Sequence, residues 1–118
     1  VFFPNARSEV ISRLHSAKPY LMTIIYLNRV NDFAQKHAET RKNLATWKWA
    51  VENASWKSSK DVLFDFPRAR MLGKNLARFE IVHNKYRLVA YVDYDDQLVE
   101  VRFIGTHAEY DRIDPDEI

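Results

Sequence analysis

The sequence predicts one α+β domain, an N-terminal strand and two helices packed on an antiparallel sheet, and three observations predict it. Apolar residues recur at helical spacing between residues 28 and 54, and they alternate with a period of two from residue 77 onward. A chain of 118 residues, 47% of them hydrophobic, is also long enough for one core and too short for two.

The elements follow in order. Residues 23 to 27, "TIIYL", are β-branched and aromatic and read as a short strand. Asn28 then offers an N-cap, and Val30, Phe33, Ala34 and His37 repeat at the i, i+3, i+4, i+7 spacing of one helix face. A second helix enters at Thr40, with Leu44, Trp47, Val51 and Ala54 as its apolar stripe. Both periods break in "SWKSSKDVLFDFPRARMLGKN", which reads as a long connection with one helical turn near Asp61 to Phe64.

Three strands of an antiparallel meander come next, carrying Phe79 and Ile81, then Leu88, Ala90 and Val92, then Val99, Val101 and Phe103 on the core side. His83-Asn84 and Tyr94 to Gln97 stand at the hairpin turns. Alternation sends Glu100, Arg102 and Ile104 to the opposite face with Arg87, Val89, Tyr91 and Asp93, so that Arg78, Arg87 and Arg102 can share it. Residues 1–21 contain Pro4 and Pro19 and no sustained period, and they are expected to be an extension preceding a domain that spans 22–118.

Composition removes several function classes. With no cysteine the chain has neither disulfides, thiolate zinc sites nor a cysteine nucleophile. The longest apolar runs fall well short of a membrane span, and "VFFPNARSEV" lacks the basic start and long apolar stretch of a secretory signal, so a cytoplasmic protein without membrane contact is expected. Four histidines without a carboxylate or thiol at ligand spacing predict no metal site, and nothing calls for a cofactor.

The net charge of +2 is unevenly spread. Eight Lys or Arg against three acids lie between Lys57 and Leu88, a local balance of +5 that leaves −3 elsewhere, including the tail with Asp111, Asp114, Asp116 and Glu117. Such a segment is either an ordinary solvated face or a surface for a polyanion such as RNA.

Two motifs carry a resemblance. "NKYRLV" at residues 84–89 and "VRFIGTHAEYDRID" at residues 101–114, and more loosely "TWKWAVENASWKSSKDV", make the chain from Met22 onward similar to the HigB-type toxins of the RelE superfamily. The chain departs from that pattern at His83, where many relatives have glycine. The resemblance implies a compact microbial-ribonuclease-like fold with a twisted antiparallel sheet. It implies a toxin that cleaves mRNA in the 70S ribosome, a HigA-type helix-turn-helix antitoxin as partner, and binding to operator DNA only through the toxin-antitoxin complex.

Metal-free RNA cleavage requires removal of the 2′-hydroxyl proton, stabilisation of the phosphorane charge and protonation of the departing 5′-oxygen. In a family of this kind His107 becomes the candidate for proton transfer. Arg87 and Arg102 become candidates for a phosphate clamp, because guanidinium forks match phosphate oxygens. Tyr110 is open to several uses: orienting the phosphate, stacking on a base, moving a proton, or closing the core. Arg70, Lys74, Arg78 and Lys85 are candidates for holding the RNA backbone. Thr106 and Glu109 fit a capping box, which makes Glu109 structural. Two readings compete with the nuclease: an RNA- or ribosome-binding module that blocks translation by occupancy, and a degenerate toxin retained as a partner of its antitoxin.

Overall fold

The structure, a computed structural model, describes residues 20–118. The expected extension therefore lies outside the described residues apart from Tyr20 and Leu21, and His15 lies outside them as well. In chain order the elements are β1 (Thr23–Ile25), α1 (Leu27–Lys36), a 3₁₀ turn (Ala38–Thr40), α2 (Arg41–Glu52), α3 (Ser59–Asp65), β2 (Arg70–Gly73), β3 (Leu76–Ile81), β4 (Tyr86–Asp93), β5 (Leu98–Thr106), α4 (His107–Tyr110) and a second 3₁₀ turn (Pro115–Glu117). The strands form one sheet in the order β1-β5-β4-β3-β2, with β1 parallel to β5 and the other pairs antiparallel. The α+β architecture is as expected, an N-terminal strand and helices packed on a largely antiparallel sheet.

The helices cover one sheet face and the core lies between. Trp47, Trp56 and Phe79 are each at most 2% exposed. Trp47 and Phe66 meet Phe79 edge-on, at ring centroid distances of 5.6 and 4.9 Å. Edge-to-face packing places the positive ring edge on the negative ring face, which adds to area burial. Trp47 and Trp56 are thus core residues, while Trp49 on the outer face of α2 is 68% exposed. His37 is a boundary residue, stacked on Phe33 at 4.1 Å just beyond the end of α1.

Three expectations are corrected. The first strand ends at Ile25 instead of reaching residue 27, and the helix begins at Leu27, not after an Asn28 cap. Tyr26 takes a left-handed φ of 64° and its carbonyl accepts the Arg29 N–H at 3.0 Å, turning the chain from strand to helix in a single residue. Propensity for β-structure at "YL" loses to this turn.

The region read as a long connection holds α3 and β2, so the meander has four strands rather than three. Helix α3 is short but anchored. Val62 is fully buried, the Asp61 carboxylate accepts the Lys57 N–H at 2.7 Å, and the Trp56 indole donates to Asp65 at 2.8 Å. Strand β2 joins β3 through Gly73, Lys74 and Asn75, all with positive φ, a conformation that glycine and asparagine adopt at least cost.

The third correction decides the site. Register between β4 and β5 shifts at Val89/Ala90: Ala90 faces Val101, Val89 faces Phe103, and Arg102 is the extra residue of a bulge. Beyond it the faces of β5 exchange. Ile104 packs against the core cluster, and Phe103, expected in the core, turns to the other face, where its ring lies 6.1 Å from that of Tyr110. Strict alternation fails because one inserted residue inverts every side chain after it.

Candidate active site

The face opposite the helices receives Arg78 and Glu80 from β3, Arg87, Val89 and Tyr91 from β4, and Glu100 and Phe103 from β5, as their cross-strand pairing requires. Arg102, in the bulge, joins them through Glu100 and Tyr91. At one end of this face β5 runs directly into α4. Gly105 makes the junction possible: a Cβ there would stand 2.7 Å from Phe103 Cζ and 3.1 Å from Glu109 Oε1. Its φ is not positive, so the reason for glycine is close approach rather than backbone conformation.

A complete capping box starts α4. The Glu109 N–H donates to Thr106 Oγ1 at 3.1 Å and the Thr106 N–H donates to Glu109 Oε1 at 2.8 Å. The Thr106 backbone N–H, and after it the Thr106 side chain, hold the Glu109 carboxyl below its ordinary pKa. A depressed carboxyl pKa contributes stability above the unfolded pKa and loses it as pH falls through the folded one. Glu109→Gln is therefore expected to remove part of the acid sensitivity of stability below the ordinary carboxylate range, read from urea midpoints across acidic pH. Thr106→Ala is expected to cost about 0.5–2 kcal/mol, measured in the same way.

His107 opens the helix, and its backbone N–H donates to the Lys85 carbonyl at 3.0 Å, tying α4 to the β3–β4 turn. Its ring is held at both nitrogens. Nδ1 lies 3.0 Å from Asp111 Oδ2, and Nε2 lies 2.9 Å from Arg87 Nη2. Arginine only donates, so the contact assigns a lone pair to Nε2 and the ring proton to Nδ1, facing Asp111. Asp111 thus orients the imidazole.

Arg87 is the centre of the group. Its Nε donates to Asn84 Oδ1 at 3.1 Å, and its guanidinium carbon sits 4.9 Å from the Tyr110 ring centroid. Arg78 approaches the same ring at 5.7 Å. Asn84 owes its position to a turn in which both Val82 and His83 have positive φ, a strained choice for a β-branched residue.

The structure therefore brings His107, Arg87, Tyr110 and Arg78 together. Arg102 makes none of these contacts. It pairs with Glu100 at 2.9 Å, donates to the Ile118 carbonyl at 3.0 Å and lies over the Tyr91 ring. The Lys85 side chain turns toward the junction of α1 and α2, where Glu39 accepts from both Lys85 and the Tyr86 hydroxyl. Those two hydrogen bonds, Tyr86 first, lower the Glu39 pKa. Lys74 lies in the β2–β3 turn, 3.6 Å from Asp116, and the exposed Arg70 stands opposite Arg78 across the β2–β3 pair. Sequence reasoning missed Asn84 as a support of Arg87 and gave Asp111 no part at the histidine. The available signal was spacing, three residues from Asn84 to Arg87 and four from His107 to Asp111.

The model of the HigB_toxin family, described as the RelE-like toxic component of a toxin-antitoxin system, matches residues 40–113. The chain belongs to the HigB family. No curated protein matches it. The matched span of this HigB toxin starts at Thr40, just before α2, and contains Asn84, Arg87, His107, Tyr110 and Asp111, while β1 and α1 precede it. Membership makes the protein a RelE-like toxin of a toxin-antitoxin system, which implies an antitoxin as partner. Among the described residues no helix is long and apolar enough to cross a membrane.

Proposed function

We propose that the protein is an mRNA endoribonuclease that cuts messages on the translating ribosome in the cytoplasm, without metal, and is neutralised by a HigA-type helix-turn-helix antitoxin through which alone it reaches operator DNA. The observation that carries the reading is the 2.9 Å contact between His107 Nε2 and Arg87 Nη2. It puts an unprotonated imidazole nitrogen beside a guanidinium, the two groups that a 2′-hydroxyl and its neighbouring phosphate require.

In this reading His107 Nε2 takes the 2′-hydroxyl proton, O2′ bonds to phosphorus, and the P–O5′ bond breaks. The departing 5′-oxygen takes a proton from water. The products are a 2′,3′-cyclic phosphate and a 5′-hydroxyl. Arg87 carries the phosphorane charge, where a preorganised donor contributes about 10²- to 10³-fold. Tyr110, packed against Arg87 and Phe103, orients the nucleotide. Arg102 takes a neighbouring phosphate further along the face, and Arg70, Lys74, Arg78 and Lys85 hold the RNA or ribosomal RNA backbone.

The test is induction of the toxin in bacterial cells with mapping of new mRNA 5′ ends. Cuts aligned with codons, lost when initiation is blocked, are expected. Growth arrest with messages intact would replace the nuclease reading with translation block by occupancy, and no arrest would point to a degenerate toxin.

A further inference from the structure

The basic face is not uniformly basic. Arg78 approaches Glu80 at 3.9 Å, and Arg102 pairs with Glu100 at 2.9 Å. Arg87 has neither arrangement. It is 8% exposed, yet among the described residues its partners are all neutral: the Asn84 amide oxygen, the His107 lone pair and the Tyr110 ring. Glu80, its cross-strand neighbour, is turned to Arg68 at 3.3 Å and to Arg78. A buried charge without a counter-ion is costly, and the cost falls when an anion arrives.

Occupancy of the histidine adds a second constraint. Nε2 has one lone pair, and at rest Arg87 holds it. A base whose lone pair is taken cannot accept a proton from a hydroxyl. The other charged groups leave this bond alone. Asp111 sits on Nδ1, Glu109 is bound to Thr106, the Lys85 ammonium is paired with Glu39, and Arg78 lies over the Tyr110 ring.

We infer that Arg87 is a phosphate-operated latch on His107: at rest its guanidinium caps the Nε2 lone pair, and an RNA phosphate that draws the guanidinium away uncaps it. The latch rests on the nuclease reading for its purpose but not for its operation, because any phosphate that reaches Arg87 opens it. It would keep the base unavailable until a scissile phosphate is seated. Asn84, bonded to Arg87 Nε, is the positioning residue that aims Nη2 at the ring.

The latch makes an unusual prediction about binding. Phosphate must break the Arg87–His107 bond before it can take Arg87, so removing the histidine removes an obstacle. Inorganic phosphate, and a dinucleotide with a 2′-deoxy sugar that cannot be cut, are expected to bind His107→Ala roughly three- to tenfold more tightly than the parent protein, the free energy of about one net hydrogen bond. A histidine that merely contacted phosphate would give the opposite sign. In the parent protein, nitrogen NMR should show coupling between Arg87 Nη2 and His107 Nε2 that disappears as phosphate is added.

Equal or weaker binding to His107→Ala would overturn the latch, and so would coupling that persists while phosphate shifts the Tyr110 and Arg78 signals. No response to phosphate at all would count equally against it. Cleavage of RNA in parallel samples separates the two claims: a protein that unlatches but never cuts loses the nuclease reading only, and one that cuts with the bond intact loses the latch only.

Discussion

His107→Ala is expected to lower RNA cleavage by about 10²- to 10⁴-fold and to abolish growth arrest, the contribution of one general base. The side chain is partly exposed and its two ring contacts are to polar groups, so the substitution is expected to cost only about 1 kcal/mol of stability. Activity and folding should therefore separate cleanly. Cleavage rate is read on a ribosome-bound message and stability from a urea melt of the same preparation. Undiminished cleavage by a folded His107→Ala protein would take His107 out of the mechanism. His107→Gln would sharpen the result, because it keeps a polar group near Arg87 but offers no basic nitrogen.

Gly105→Ala is the second large effect, and it tests how the histidine is placed. The added methyl meets the Phe103 ring tip at 2.7 Å, so the ring or the strand end must move, at a cost of about 1–3 kcal/mol for overpacking a fitted junction. Movement there is passed directly to His107 two residues on. A displacement near 1 Å at a reacting group can cost on the order of 10²-fold in rate. The chain's other glycine supplies the control. Gly73 has φ 86° and nothing within 4 Å of its missing Cβ, so alanine there is strained by backbone conformation alone. Gly73→Ala is expected to destabilise by about 1 kcal/mol with little change in cleavage rate. Equal activity losses at the two glycines would mean that cleavage follows global stability and not the fit at α4.

The stripe of Leu44, Trp47 and Val51 and the alternation in β3 and β4 were legible because core burial repeats at one period over many residues. Strand β2 was not legible: "RMLG" is four residues long at a sheet edge and too short to show alternation. The exchange of Phe103 and Ile104 was hidden for a different reason. A bulge is a relation between two strands, and nothing in "VEVRFIG" alone says where its partner skips. At the candidate site, His107, Arg87 and Tyr110 were singled out through motif and chemistry, and they lie in contact. The bond between His107 and Arg87 was not foreseen, because it joins residues twenty positions apart whose approach depends on the β4–β5 register. Arg102 was paired with Arg87 on residue type and on an unbroken alternation that put both on one face, and it stands instead in the bulge with contacts to Glu100 and Ile118.

That bulge also divides β5 into two parts that answer to different demands. Val99 and Val101, before Arg102, face the helices, and Phe103 and Gly105, after it, pack beside Tyr110 and lead into His107. The extra residue acts as a joint. Conservative core changes at Val99 or Val101 are expected to be absorbed on the near side without steering the imidazole. Deleting Arg102 would make Val101 and Phe103 consecutive on opposite faces, as they already stand, so the two parts would fuse into one regular alternation with their faces kept and the joint between them lost.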